Sequence, residues 1–257
     1  MSEARGWMEM AEAVARVAGN VALRHYLRGV TVETKADGTP VSEADRQAEE
    51  AARNWLEARC PAEGIVGEEL GTVRPEAPRR WILDPIDGTK TFVRRVPLWG
   101  TLVALAEGET VLAGAAFFPA VDEMVVAGRG AGCFWNGRLA RVSTVAQLGE
   151  ATVLCTDERF GTNETQRRGF AELSGRAGLT RSWGDCYGYL LVATGRAEVM
   201  VDGVMAPWDA AALQPIIEEA GGVFTDWSGR RTAFGGSTVA TNAALAEQTR
   251  ALLGSGS

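Results

Sequence analysis

The segment Trp81-Ile82-Leu83-Asp84-Pro85-Ile86-Asp87-Gly88-Thr89-Lys90 constrains this chain more than any other. Its apolar start reads as the end of a buried strand. Two carboxylates, Asp84 and Asp87, then stand three residues apart with Pro85 between them. Proline fixes its own φ and keeps the residue before it extended, so both carboxylates can point into one small volume. Carboxylates that close repel unless a proton or a cation lies between them. A hard divalent cation such as Mg²⁺ suits an all-oxygen site. Amides around Gly88, Thr89 and Lys90 would sit at the first turn of a helix, where an anion can bind. The alternative is a plain strand–turn with an Asx-type bend at Asp87.

Composition narrows the chemistry. A chain of 257 residues can bury a large core as one domain or two intimate ones. The net charge of −7 and the lack of a basic cluster argue against nucleic-acid binding. No apolar run reaches membrane-spanning length, and the N-terminus carries no signal-peptide pattern. Cys60, Cys133, Cys155 and Cys186 are scattered without CxxC spacing, as expected of reduced thiols in a cytoplasmic protein. The single histidine, His25, excludes a Ser–His–Asp triad elsewhere in the chain and a multi-His zinc site. Catalysis must then rest on carboxylates, hydroxyls, lysine or an oxygen-bound metal.

Apolar residues at three- and four-residue spacing predict a helix over 3–28, stopped by Gly29. A turn containing Lys35 leads to Ser42, which can cap a second helix running to Arg59. Asp45 lies three residues past that cap, as in a capping box. It can also face the carboxylate site. Gly64 to Gly71 is a short strand ending in Glu68 and Glu69, either an exposed acidic turn or a source of one metal ligand. Val73 to Arg80 reads as a Pro- and charge-rich loop. Strands over 98–107, 111–118 and 122–127, with a hairpin signal at Asn136-Gly137, predict an antiparallel sheet. Beyond a soft boundary near residue 145, strands alternate with helices. This gives halves 1–145 and 146–257, packed as one unit. Residues 206–222 read as one helix with Asp209 in its first turn, where a carboxylate is favoured. Asp209 is either an ordinary N-terminal Asp or a third metal-site carboxylate.

The order of these motifs is more specific than any one of them. Gly67-Glu68-Glu69, Asp84-Pro85-Ile86-Asp87-Gly88-Thr89, Trp208-Asp209 and Glu219-Ala220-Gly221-Gly222 together resemble the inositol monophosphatase family of Mg²⁺-dependent, lithium-sensitive phosphomonoesterases. Lys35 through Asp45 is similar to that family's N-terminal loop. The resemblance implies an α+β fold, a layered α-β-α-β-α sandwich, as a homodimer. It implies two or three Mg²⁺ ions. Glu68, Asp84 and the Ile86 carbonyl would hold the first, and Asp84, Asp87 and Asp209 the second. Thr89 and Asp45 would orient the attacking water, and the Gly88 and Thr89 amides would hold phosphate.

The run from Asp84 to Leu105 and the segment Trp183 to Tyr189 look more like the histidinol-phosphate phosphatase branch than the inositol branch. Histidinol phosphate carries an amine, so acidic groups favour it. Asp185 and Asp202 are the candidates, each with a solvated or capping Asp as the alternative. Asp202 stands where the family more often has Glu, and its shorter reach weakens that contact. The rival substrates are inositol phosphate and other sugar phosphates. A reading from another class, a non-catalytic binding protein of the same fold, is disfavoured by the intact acidic set.

Overall fold

The computed structural model describes residues 3–28, 32–34 and 40–254. Lys35 and the helix stop expected at Gly29 lie outside the described residues. Helix α1 (Glu3–Arg28) precedes paired strands β1 (Val32–Thr34) and β2 (Pro40–Ser42), and α2 (Glu43–Arg59) follows directly. Next come β3 (Gly64–Gly67), β4 (Gly71–Val73), β5 (Arg79–Asp87) and the short helix α3 (Thr89–Val93). A meander follows: β6 (Gly100–Glu107), β7 (Thr110–Phe118), β8 (Glu123–Gly128), β9 (Gly132–Trp135) and β10 (Arg138–Leu139). Then come β11 (Thr152–Cys155), α4 (Glu164–Ser174), β12 (Leu179–Arg181), α5 (Asp185–Ala193) and β13 (Val199–Asp202). The chain closes with α6 (Pro207–Ala210), α7 (Leu213–Glu219), β14 (Val223–Thr225), β15 (Thr238–Thr241) and α8 (Ala246–Gly254).

The strands form an eight-stranded sheet ordered β10-β9-β8-β7-β6-β5-β3-β4 and a five-stranded sheet ordered β12-β11-β13-β15-β14. The first is antiparallel except where β3 runs parallel to β5. Three apolar cores separate the layers. Helices α1 and α2 bury Ala11, Val14, Ala18, Ala48, Ala52 and Leu56 against Trp81, Leu83 and Leu105 on one face of the large sheet. Helices α5 and α7 fill the space between the sheets, where Ile82, Leu102 and Phe118 meet Tyr189, Leu190, Ile216 and Phe224. Helices α4 and α8 cover the far face of the small sheet with Phe170, Leu173, Leu252 and Leu253. The result is the expected α-β-α-β-α sandwich of an α+β protein.

Three local outcomes differ from the sequence reading. The single helix expected over 206–222 is two, α6 and α7, interrupted at Ala211 and Ala212. Pro215 explains the break, because it lacks an N–H and its ring crowds the carbonyl four residues back, that of Ala211. The loop expected over 73–80 is shorter, with β4 ending at Val73 and β5 beginning at Arg79. Strand β3 ends at Gly67, and Glu68 and Glu69 lie on the turn that follows. The Glu68 N–H still bonds the Leu83 carbonyl at 3.2 Å, so that turn starts alongside β5. His25 is structural: its Nε2 meets Gln47 Oε1 at 2.9 Å, linking α1 to α2.

Candidate metal centre

The centre is built on β5. On a regular strand, residues three apart face opposite sides of a sheet. Asp84 and Asp87 escape that rule because the ladder with β6 slips between them. Asp84 pairs with Leu102 and Asp87 with Gly100, so three steps on β5 match two on β6. A bulge of this kind turns both carboxylates to one face. Pro85, which has no N–H for the ladder, lies inside it, and its carbonyl accepts from Thr101 Oγ1 at 2.8 Å. Alternation places Asp84 with Ile82, facing the layer between the sheets.

Asp209 arrives from the other half on α6, which packs against β5. Its Oδ2 accepts the Ala206 N–H at 2.7 Å, which fixes the side chain at the start of the helix. One carboxylate oxygen each from Asp84, Asp87 and Asp209 lies within 4.8 Å of the others. Asp84 Oδ1 also accepts from the Ile86 N–H at 3.0 Å, and Asp87 Oδ2 from the Cys186 N–H at 2.6 Å.

Acidic charge is concentrated here, and burial with mutual repulsion outweighs the N–H groups that donate to it. Burial first, then the charges of Glu68, Asp87, Asp209 and Asp45, hold the Asp84 carboxyl well above its usual range. Burial followed by Asp185 and Asp209 does the same to Asp87. Asp209 is pushed up to about 6, mainly by burial, with the Ala206 N–H opposing. Glu68 and Asp45 thus reach the cluster through their fields, although neither belongs to the close trio. An all-carboxylate, partly buried oxygen set fits a hard divalent cation, which would offset both the burial of the charges and their mutual repulsion.

Gly88 begins the next element. Its φ of 83° is left-handed, and a Cβ there would stand 3.0 Å from Asp185 Oδ2. Only glycine meets both conditions. Helix α3 then starts with Thr89, whose Oγ1 donates to the Ile86 carbonyl at 3.1 Å. That leaves the hydroxyl's lone pairs as acceptors, and the carbonyl retains a second lone pair.

A cavity of about 280 Å³ opens beside the trio, lined by Asp87, Lys90, Asp157, Asp185, Asp202 and Asp209 among others. Asp185 is a non-glycine residue at φ 50°. Its Oδ2 accepts from Thr91 Oγ1 at 2.9 Å, and its N–H donates to Thr156 Oγ1 at 2.8 Å. Asp202 is almost wholly buried in the cavity wall. Its oxygens accept from the Thr156 N–H at 3.1 Å and the Tyr189 hydroxyl at 2.8 Å. Burial lifts its carboxyl to about 7. A larger groove of about 420 Å³, between α1 and β8–β9, shares no lining residue with this site.

Sequence reasoning missed Thr91, Thr156, Asp157, Tyr189 and the Cys186 amide. The signal that finds Thr156 is structural. Parallel strands present ligands at their carboxyl ends, and β11 and β13 run parallel with Cys155 opposite Val201. The residues just after those positions, Thr156 and Asp202, therefore meet at the cavity. The pairing of these strands was not readable from the chain alone.

The sequence profile of the inositol monophosphatase family matches residues 3–255. Histidinol-phosphatase of Chlorobaculum parvum is 42% identical over 251 residues, covering 97% of both chains. Histidinol-phosphatase of Mycobacterium tuberculosis is 37% identical over 230 residues, 88% of each. Among solved structures, an inositol monophosphatase from Zymomonas mobilis superposes with a TM-score of 0.88 at 31% identity, over 99% of this chain and 100% of that one. The chain therefore belongs to the inositol monophosphatase family and is a phosphatase by that membership.

Proposed function

We propose that this protein hydrolyses L-histidinol phosphate to L-histidinol and phosphate, with Mg²⁺ as its cofactor. The observation that carries the reading is the convergence of Asp84, Asp87 and Asp209 at the edge of an acidic cavity. Glu68, Asp84 and the Ile86 carbonyl would hold one ion, and Asp84, Asp87 and Asp209 a second, with a third weaker one near Glu68. Bound there, the cation supplies water of lowered pKa and offsets the charge of the phosphate and leaving oxygen.

The protein's own groups do the rest. Thr89, its proton committed to Ile86, accepts a hydrogen bond from the attacking water, and Asp45 orients that water from α2. The Gly88 and Thr89 amides hold the phosphoryl oxygens in line. No side chain serves as a covalent nucleophile. Asp185 meets the cationic end of the substrate, and its left-handed backbone, fixed by Thr91 and Thr156, keeps it aimed at the cavity. Asp202 lies beneath, tied to Thr156 and Tyr189, and adds negative field.

We also propose a homodimer, lithium sensitivity and a cytoplasmic location, and 1–145 and 146–257 as its two halves. The four free cysteines accord with a reducing compartment. Among the described residues no helix is long and apolar enough to cross a membrane. Inositol 1-phosphate is the second candidate substrate, on the strength of the likeness to the Zymomonas mobilis inositol monophosphatase. Phosphate release at equal subsaturating concentrations of histidinol phosphate and inositol 1-phosphate, with Mg²⁺, tests the choice. A strong preference for the first is expected, and equal or reversed rates would refute the substrate assignment.

A further inference from the structure

Beneath the centre lies a buried ion pair that none of the roles above uses. Asp45, Glu49 and Arg53 fall four residues apart on α2, so they stack along one face of the helix. They are 2%, 0% and 9% exposed. Asp45 turns its field on Asp84. Glu49, one turn further, reaches the segment after β3 instead. Its Oε2 accepts the Glu69 N–H at 2.8 Å, and its Oε1 accepts the Leu70 N–H at 3.1 Å and Arg53 Nε at 2.7 Å. Arg53 closes the other end of the same turn by donating to the Gly71 carbonyl. The strand leading into the turn accommodates this arrangement with glycine. A Cβ at Gly67 would stand 2.0 Å from Glu49 Oε1, an impossible contact.

The turn so clamped carries Glu68. The carboxylates of Asp84, Asp87 and Asp209 close on one another without it. Glu68 enters from a different segment, so its distance from the trio depends on where the turn sits. We propose that Glu49 is a positioning residue for the metal centre: through the Glu69 and Leu70 amides it sets the place of Glu68, and hence the affinity for divalent cation. Arg53 balances the buried charge of Glu49 so that the anchor adds no net negative field to a centre already crowded with carboxylates. The inference rests on Glu68 being a ligand, as proposed above.

The test compares Glu49→Gln, Gly67→Ala and Glu68→Gln with the wild type. Each is read by the Mg²⁺ concentration giving half-maximal activity, by Mn²⁺ binding followed by electron paramagnetic resonance without substrate, and by thermal melting. Groups that orient metal ligands typically change affinity or activity roughly 10–100-fold when removed. We expect Glu49→Gln and Gly67→Ala to raise the Mg²⁺ requirement and weaken Mn²⁺ binding by about ten-fold, while kcat at saturating Mg²⁺ falls little. A lower melting temperature with unchanged Mg²⁺ requirement and Mn²⁺ affinity would make the pair merely structural and overturn the inference. If Glu68→Gln alone weakens binding, the ligand assignment survives and only the anchor falls; if Glu68→Gln has no effect, the ligand assignment itself fails. Should the Glu49 variant not fold, amide exchange in the wild type decides. Mg²⁺ must slow exchange at Glu69 and Leu70 by linkage, and unchanged rates there refute the anchor.

Discussion

Replacing Asp209 by Asn should make the metal-free protein more stable, not less. Without a cation, the folded state holds the Asp209 carboxyl at about 6 against an ordinary value of 3.8. Each unit corresponds to about 1.4 kcal/mol, so ionised Asp209 costs the folded state about 3 kcal/mol above pH 7. The sign follows from linkage: a carboxyl raised in the native state favours folding below its unfolded pKa, and that advantage is lost as pH climbs through the folded value. Asn keeps an oxygen for the Ala206 N–H and carries no charge. In a protein of this size about 1 kcal/mol moves Tm by roughly 2–4 °C, so at pH 8 in chelator Asp209→Asn should melt roughly 6–12 °C above wild type. At pH 4, where the native carboxyl is already neutral, the difference should nearly vanish. In Mg²⁺ the gap should close, because wild type gains about 2.7 kcal/mol at one hundred times the dissociation constant, close to the roughly 3 kcal/mol cost, and the variant, lacking a proposed ligand, gains less. Scanning calorimetry at pH 4 and pH 8, with and without Mg²⁺, reads all four conditions. An apo variant no more stable than wild type at pH 8, or an advantage that persists at pH 4, would refute the view that a buried, crowded carboxylate at Asp209 awaits a cation here.

Asp87→Asn should abolish phosphate release while leaving the far-ultraviolet circular dichroism unchanged; turnover at the wild-type level would remove Asp87 from the metal set. Asp185→Asn should raise KM for histidinol phosphate while barely changing the hydrolysis of an aryl phosphate that carries no cationic group, and an equal loss on both substrates would make Asp185 a general support of the site. Tyr189→Phe removes the hydroxyl that stabilises ionised Asp202, whose carboxyl already stands near 7. Any activity that needs Asp202 ionised should then shift its acidic limb to higher pH, and an unmoved pH profile would count against a role for Asp202. Leu56→Ala, in the wholly buried contact between α2 and the large sheet, should cost about 2–5 kcal/mol by urea unfolding, with no change in the Mg²⁺ requirement of the folded enzyme.

Much of the centre was legible in the chain because its chemistry is local. Asp84, Pro85, Asp87, Gly88 and Thr89 lie within one strand and one turn, where the restraints of proline and glycine act on immediate neighbours. Helix α1 was legible from its apolar spacing, and the meander from its alternation and turn residues. The helix expected over 206–222 was not read correctly, because the apolar pattern masked the local effect of Pro215. The bulge that brings Asp84 and Asp87 to one face was invisible, since it is a mismatch of register between β5 and β6 rather than a property of either.

By itself, then, the sequence determined which carboxylates exist, that a single histidine leaves the chemistry to carboxylates, hydroxyls, lysine or an oxygen-bound metal, and which family the motif order resembles. Tertiary structure alone decided that Asp209 closes on Asp84 and Asp87, that Asp185 sits over Gly88, that Thr156 joins Asp202, and that Glu49 reaches across to the turn bearing Glu68. The reason is physical. Local dihedral restraints are written in neighbouring residues, whereas contacts between residues far apart in the chain depend on how sheets and helices pack to bury their apolar faces.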